Sequence, residues 1–207
     1  MSTARGTTAS AAGGSDRQRQ VLKAAADIFR RKGYDATSLQ DIADAVGIQK
    51  GSLYHYIDTK EDLLFAIIKD THDRTLKGNS RWRTLDGNSL AKLRMFIEDH
   101  ARVSMRYGRA TSIYFRDARA LSRARREEIM AARDEYEGAL RSLIEQAQAD
   151  GFVSAKLDPR LATFAVFGMI NWLYQWYRPS GPLSPETIAR SLADQALASL
   201  TAEPPPA

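Results

Sequence analysis

One stretch constrains this chain more than any other: TSLQDIADAVGIQKGSLYHYIDTK, from Thr37 to Lys60. Leu39, Ile42, Ala43 and Val46 fall at the i, i+3, i+4, i+7 spacing of one buried helical face. Ser38 stands where that helix needs an N-cap, and Gly47 stands where it must stop. Glycine enters the left-handed conformation of a sharp turn without steric cost. Ile48 then plugs the angle to a second helix, expected from about Gln49 to Tyr56, with Leu53 and Ile57 facing inward. Gln49, Lys50, Ser52, Tyr54 and His55 are left to face a partner. Two short helices about a tight turn form a helix-turn-helix, whose second helix is shaped to enter a DNA major groove.

The flanking segments read as helices as well. Residues 1–15, rich in Ser, Thr, Ala and Gly, are expected to form a disordered arm. From Asp16 the pattern turns helical, with Val21, Leu22, Ala25, Ile28 and Phe29 on one stripe, as far as Gly33. After the Thr37–Lys60 stretch, Asp58 or Thr59 caps a helix expected to run to about Lys77, its core stripe Leu63, Leu64, Ile67 and Ile68. A helix is expected from Ser89 to Tyr107, broken at Gly108, and then a short aromatic segment, Ser112 to Leu121. A long charged helix follows from about Ser122 to Ala149. The next helix, LATFAVFGMINWLYQWY, is apolar nearly all round and must be covered on every side. A last helix ends near Leu200, and 201–207 is expected to be a disordered tail. No strand pattern is found, so the fold class is all-α.

Cysteine is absent, which excludes disulfides and cysteine-held metal, and no apolar run reaches the length of a membrane span. A cytoplasmic protein without membrane contact is expected. Residues 81–126 hold twelve Lys and Arg against four Asp and Glu, the largest basic excess in the chain. It lies outside the DNA-reading stretch, which points to a second anionic partner.

Arg19 through Leu63 closely resembles the DNA-binding domain of the TetR family of bacterial transcriptional regulators. The likeness rests on the alanine-rich first helix with Phe29, Gly33-Tyr34, Thr37-Ser38, Asp41-Ile42-Ala43, Val46-Gly47-Ile48, Gly51-Ser52-Leu53-Tyr54 and Lys60-Glu61. Two positions depart: Ile57 stands where the family usually has Phe, and Gln49 where Ser or Thr is common. The resemblance implies a homodimer that reads a palindromic operator on double-stranded DNA with two recognition helices, and usually represses. It implies an N-terminal three-helix DNA-binding domain, residues 16–60, joined by a connecting helix to a helical ligand-binding and dimerisation domain, 61–200. It carries Thr37, Lys50, Tyr54, His55 and Lys60 over as phosphate or groove contacts, with Gln49 and Ser52 as further groove contacts. Chemically, Lys50 and Lys60 suit phosphates and the Gln49 amide suits adenine. Lys60, next to the positive end of a helix dipole, has no evident structural reason to be basic. Tyr54 as packing and His55 as a helix cap remain the alternatives.

FGMINWLYQWYRPSGPLSPETIA resembles the matching segment of TetR-type regulators of fatty-acid and steroid catabolism, which respond to acyl-CoA thioesters. Such an effector needs an apolar tunnel and cations for its phosphates. Phe164, Phe167, Trp172 and Trp176 are the candidates for the tunnel, and Arg116, Arg119 and Arg123 for the phosphates. The competing readings are a core or dimer interface for the aromatics and a solvated helix face for the arginines. A multidrug-type regulator sensing hydrophobic compounds, or an effector-free DNA binder, stands as the alternative function. No nucleophile elbow, phosphate-cradling glycine loop or paired-histidine metal motif occurs, so neither an enzyme nor a metal or other cofactor is expected.

Overall fold

Nine α-helices and two short 3-10 turns make up the described part of the chain: a computed structural model describes residues 8–201, with side chains from Asp16 onward except that of Arg109. Of the arm expected at residues 1–15 and the tail expected at 201–207, residues 1–7 and 202–207 lie outside the described residues, while residues 8–15 and Thr201 are helical where disorder was expected. The first helix, α1 (Thr8–Lys32), starts eight residues before Asp16. Ala9, Ala11 and Ala12 extend it, since alanine costs nothing in a helix and each added residue on an existing helix brings one more hydrogen bond.

Helix α2 (Leu39–Val46) is closed at its start by a reciprocal cap. The Asp41 N–H donates to Ser38 Oγ at 3.1 Å, and the Ser38 N–H donates to Asp41 Oδ2 at 2.7 Å. Gly47 ends it at φ 67°, and Ile48 N–H reaches back to the Ala43 carbonyl at 3.0 Å. The next helix, α3 (Lys50–Leu53), is shorter than the Gln49–Tyr56 expected. Gln49 offers no side-chain cap, and beyond Leu53 the chain tightens into three-residue turns, Tyr56 N–H donating to the Leu53 carbonyl at 2.9 Å.

Helix α4 (Lys60–Gly78) follows, capped by Thr59 and Asp62 in the same reciprocal way. The long α5 (Ser89–Asp117) does not break at Gly108; it runs on through the segment expected to be irregular. A glycine inside a helix costs about 1 kcal/mol against alanine, and continuing the helix buries Ile113 completely. A Cβ at 108 would lie 3.7 Å from the Tyr174 Cα, so the backbones approach closely there. Helix α6 is Arg123–Ala149. The apolar helix after Pro159 divides at Trp172 into α7 (Pro159–Asn171) and α8 (Leu173–Trp176), a break that turns Leu173 into the core and leaves Trp172 outside. The last helix is α9 (Pro185–Thr201).

Two apolar cores result. One joins Phe29, Ile42 and Leu53 to Leu63 and Leu64 of α4, and reaches on to Ile113, Leu121 and Ile129. The other packs α5 against α6, α7, α8 and α9 around Phe96, Leu140, Ile144, Ile170 and Leu197. Helix α4 serves both halves: its start belongs to the first core, and Leu76 near its end packs against the second.

Candidate functional site

The face of the helix-turn-helix follows from which side chains its core takes. Leu53 is fully buried, so the short α3 turns Gln49, Lys50, Tyr54 and His55 outward, with Ser52 half-buried beside them. Tyr54 is 49 % exposed. Lys32 Nζ and Ser38 hold the Asp41 carboxyl far below the usual carboxylate range, with the ammonium 2.8 Å away.

Thr37 and Lys60 are placed differently. Thr37 is buried and its hydroxyl donates to the Gly33 carbonyl at 2.6 Å. The Lys60 ammonium donates to the carbonyls of Tyr34 and Thr37, each at 2.9 Å, and stands 4.3 Å over the Tyr34 ring. Lys60 therefore does have a structural reason to be basic: it binds together the turn between α1 and α2.

A cavity of about 110 Å³ opens between α4, α5, α6 and α7. Ile68, Ile129, Phe115 and Phe167 supply apolar wall; Thr71, His72, Thr75, His100, Ser104, Tyr136 and Asn171 supply polar wall. Arg133 and Glu137 also line it, paired at 2.6 Å. His100 is buried, which depresses its pKa to about 4 and keeps the ring neutral at neutral pH. Burial also raises the Tyr136 phenol, so it stays protonated, and lowers the pKa of His72.

Of the side chains expected to hold a ligand, Phe167 alone lines this cavity. Phe164, Trp172 and Trp176 are 45, 59 and 45 % exposed, as is Leu161 at 66 %, along α7, the break after it and α8. Arg116 is turned toward α1, where its guanidinium donates to the carbonyls of Phe29 and Arg30, and it pairs with Asp117 at 2.8 Å. Arg119 is exposed in the 3-10 turn after α5, and the exposed Arg123 pairs with Glu127 one helical turn on. The arginines close together in sequence thus do not converge on one pocket. Arg133, which does line the cavity, was missed, as were His72, His100 and Tyr136.

A second junction ties the reading head to the larger half. The Ser122 N–H donates to Glu61 Oε1 at 2.8 Å, and this bond holds the Glu61 carboxyl below its usual range. Arg125 spans Glu61 and Asp62 and lies over the Phe65 ring at 5.2 Å. The first turn of α4 is therefore fixed to the start of α6, while α1 is fixed to the end of α5.

Among the described residues, no group of three His, Cys, Asp or Glu is placed to hold a metal, and no helix is long and apolar enough to cross a membrane.

Comparison with known proteins gives a consistent picture. Residues 21–67 match the profile described as bacterial regulatory proteins, tetR family, and residues 86–200 match that of the tetracyclin repressor-like C-terminal domain. The HTH-type transcriptional repressor KstR2 of Rhodococcus jostii is 30 % identical over 86 % of this chain and 88 % of its own. Among solved structures, AibR in complex with isovaleryl coenzyme A and operator DNA superimposes with a TM-score of 0.77 at 30 % identity, covering 89 % of this chain and 98 % of that one. The ketosteroid transcriptional regulator KstR2 of Mycobacterium tuberculosis gives a TM-score of 0.83 at 25 % identity, over 90 % of this chain and 96 % of that one.

Proposed function

Because this chain belongs to the TetR family of bacterial transcriptional regulators, we propose that it is a homodimeric repressor released from a palindromic operator by an acyl-CoA thioester or similar anionic amphiphile. The observation that carries this reading is the double role of α4. Its middle, Ile68 to Thr75, forms one wall of the cavity, and its first turn is tied to the reading head through Glu61 and Asp62. A ligand that favours one position of α4 shifts the DNA-binding equilibrium by its differential affinity for the two positions. The structure with isovaleryl coenzyme A and operator DNA supports a thioester as the chemical class. A cationic drug fits less well, since the cavity's one lining carboxylate, Glu137, is already paired with Arg133. The effector-free reading leaves a cavity with a polar wall unexplained.

The DNA contacts follow from exposure. Gln49, Lys50, Ser52, Tyr54 and His55 form the reading surface, and Thr37 and Lys60 contribute by bracing the turn behind it. Lys50→Ala is expected to weaken binding on all operator variants alike and to make the salt dependence shallower by about one counterion. Gln49→Ala is expected to lose about 1 to 3 kcal/mol only where its partner base is present. Fluorescence anisotropy over a salt series and a set of single-base operator variants checks both; a sequence-independent loss for Gln49→Ala would refute its role.

The exposed side chains of Leu161, Phe164, Trp172 and Trp176 are the proposed dimer interface, the same patch on each protomer about a two-fold axis. Trp172→Glu is expected to yield a monomer by analytical ultracentrifugation, with operator affinity lost in proportion. A stable Trp172→Glu dimer would place the interface elsewhere.

The effector is tested by displacement. Operator DNA bound by the protein at fixed salt is challenged with coenzyme A, free fatty acids and a range of acyl-CoAs. Release by an acyl-CoA, but by neither coenzyme A nor the free acid, is the expected result. Tight DNA binding that nothing in this series disturbs would leave a repressor and remove the thioester.

A further inference from the structure

Among the described residues, Arg133 is the only lysine or arginine in the wall of the cavity. It stands at the mouth, since its side chain lines the cavity and also reaches solvent, as does that of Phe115 on α5. The Tyr114 hydroxyl accepts a hydrogen bond from Arg133 Nη1 at 3.3 Å, which draws the guanidinium across the opening toward α5. That guanidinium is charged at every pH the fold survives. Its one carboxylate partner is Glu137, with Nε and Oε1 2.6 Å apart.

This pair is the first half of a ladder. Arg133, Glu137, Arg141 and Glu145 recur every four residues along one face of α6. The two members of the pair are not equivalent. Glu137 lies between two arginines, and besides the cavity it borders an open groove between α6 and α7 that holds Arg141 and Arg160. Arg141 is available to it, because an exposed pair as loose as Arg141 and Glu145, 3.9 Å apart, contributes little. An acid four residues before a base also pairs better on a helix than the reverse order, so Glu137 suits Arg141 better than it suits Arg133. Arg133 has no second choice of its own: one turn back stand Ile129 and Met130. A ligand cation that takes Glu137 leaves Arg133 without a carboxylate. A ligand anion that takes Arg133 leaves Glu137, the more buried of the two, with Arg141.

We propose that Arg133 receives an oxyanion of the effector at the mouth of the cavity, and that Glu137 turns to Arg141 as it does so. This rests on reading the cavity as the effector site, and it supplies the cation that Arg116, Arg119 and Arg123 do not. The planar guanidinium offers paired N–H groups to two oxygens of one group, a chemistry that a phosphate and a carboxylate share. Ile68, Ile129 and Phe167 accept the hydrocarbon behind it.

The test uses probes that need neither coenzyme A nor DNA, so that it stands apart from the displacement assay. The full chain is titrated by calorimetry at neutral pH with hexyl phosphate, hexanoate, hexanol and hexylammonium. At least one anion is expected to bind about tenfold more tightly than hexanol, and hexylammonium less tightly than hexanol. A preference for hexyl phosphate alone assigns the site to a phosphate, and an equal preference for hexanoate extends it to carboxylates; either supports the receptor. Arg133→Gln is expected to bring the anions level with hexanol. Should that variant fail to fold, the exposed Arg141 decides the matter. Arg141→Gln is expected to weaken anion binding about twofold, Glu137→Gln to tighten it about threefold, and Arg141→Gln to have no effect once Glu137 is Gln. Equal affinities for the four probes would overturn the proposal, and so would an anion preference that survives Arg133→Gln or the absence of binding by any probe. An Arg141→Gln effect that persists without Glu137 would overturn the exchange of partners. An anion preference with no acyl-CoA releasing DNA would remove the thioester and leave Arg133 standing; release by an acyl-CoA without any anion preference would remove Arg133 alone.

Discussion

Phe96→Ala is expected to cost about 3 to 5 kcal/mol of unfolding free energy, a fall of roughly 10 °C in melting temperature for a chain of this size. Phe96 is fully buried and stands at the meeting point of the aromatic core. Its ring stacks on Tyr136 at 5.3 Å and meets Trp82 at 5.7 Å and the edge of Phe167 at 6.3 Å. Truncation removes apolar burial and leaves a void that these neighbours, each held by contacts of its own, fill only in part. Function should change with stability, because Tyr136 and Phe167 are also cavity wall. The variant is expected to accept bulkier effectors than the natural protein. Urea denaturation checks the first part, with Met130→Ala, 56 % exposed, as a control expected to stay within about 0.5 kcal/mol. A loss for Phe96→Ala no larger than that control would show that the stack contributes little.

The second large effect is a loss of stability in mild acid. His100 has a folded pKa of about 4 against an ordinary value of 6.5, because burial penalises its charge. Above pH 6.5 the ring is neutral both folded and unfolded, and the full stability is present. As the pH falls below 6.5 the unfolded chain takes up the proton first, and stability drops by about 1.4 kcal/mol per unit. Down to the folded pKa the total is roughly 3 kcal/mol. His72, also depressed, adds in the same direction. Glu61 and Asp62 are held below their ordinary values of 4.5 and 3.8, so their contributions are lost only at lower pH. Unfolding free energies at pH 7, 6 and 5 should therefore fall steeply for the natural protein and much less for His100→Gln. Parallel slopes would contradict a buried neutral His100.

Local features of the fold were legible in the residues, whereas convergent features were not. The Ser38 N-cap, the turn at Gly47 and the inward Leu53 depend on neighbours within a few positions, and the structure realises each as the spacing requires, adding Asp41 as the partner that completes the cap. Gly108 misled because a helix breaker acts against whatever packing continues the helix, and here that packing includes the burial of Ile113. The arginines misled for a related reason. Charge along the chain does not state what each guanidinium meets, and Arg116 meets the end of a helix 86 residues earlier. Nothing local joins Asn79 to Tyr136 either, 57 positions apart. A weaker signal for the cavity was nevertheless present. Thr71, His72 and Thr75 continue the core stripe of Leu64, Ile67 and Ile68 on α4, and His100 and Ser104 continue that of Leu93, Phe96 and Ile97 on α5. Polar residues where a stripe calls for apolar ones mark the places where a chain departs from folding rules for the sake of function.

The two ties at Arg116 and Arg125 give the reading head the mechanics of a hinged lever. The two anchor points sit on either side of one short connection, residues 118–122, between the end of α5 and the start of α6. A body held at two nearby points swings more readily than it slides. Its arm is α4, whose 19 residues make a rod of about 28 Å at 1.5 Å per residue. Tilting such a rod by about 5° moves its far end by about 2.5 Å. The tied first turn is the pivot and Gly78 is the far end, so a ligand that shifts that end by about the length of a hydrogen bond turns the rod, and the reading head beside its pivot, by about 5°.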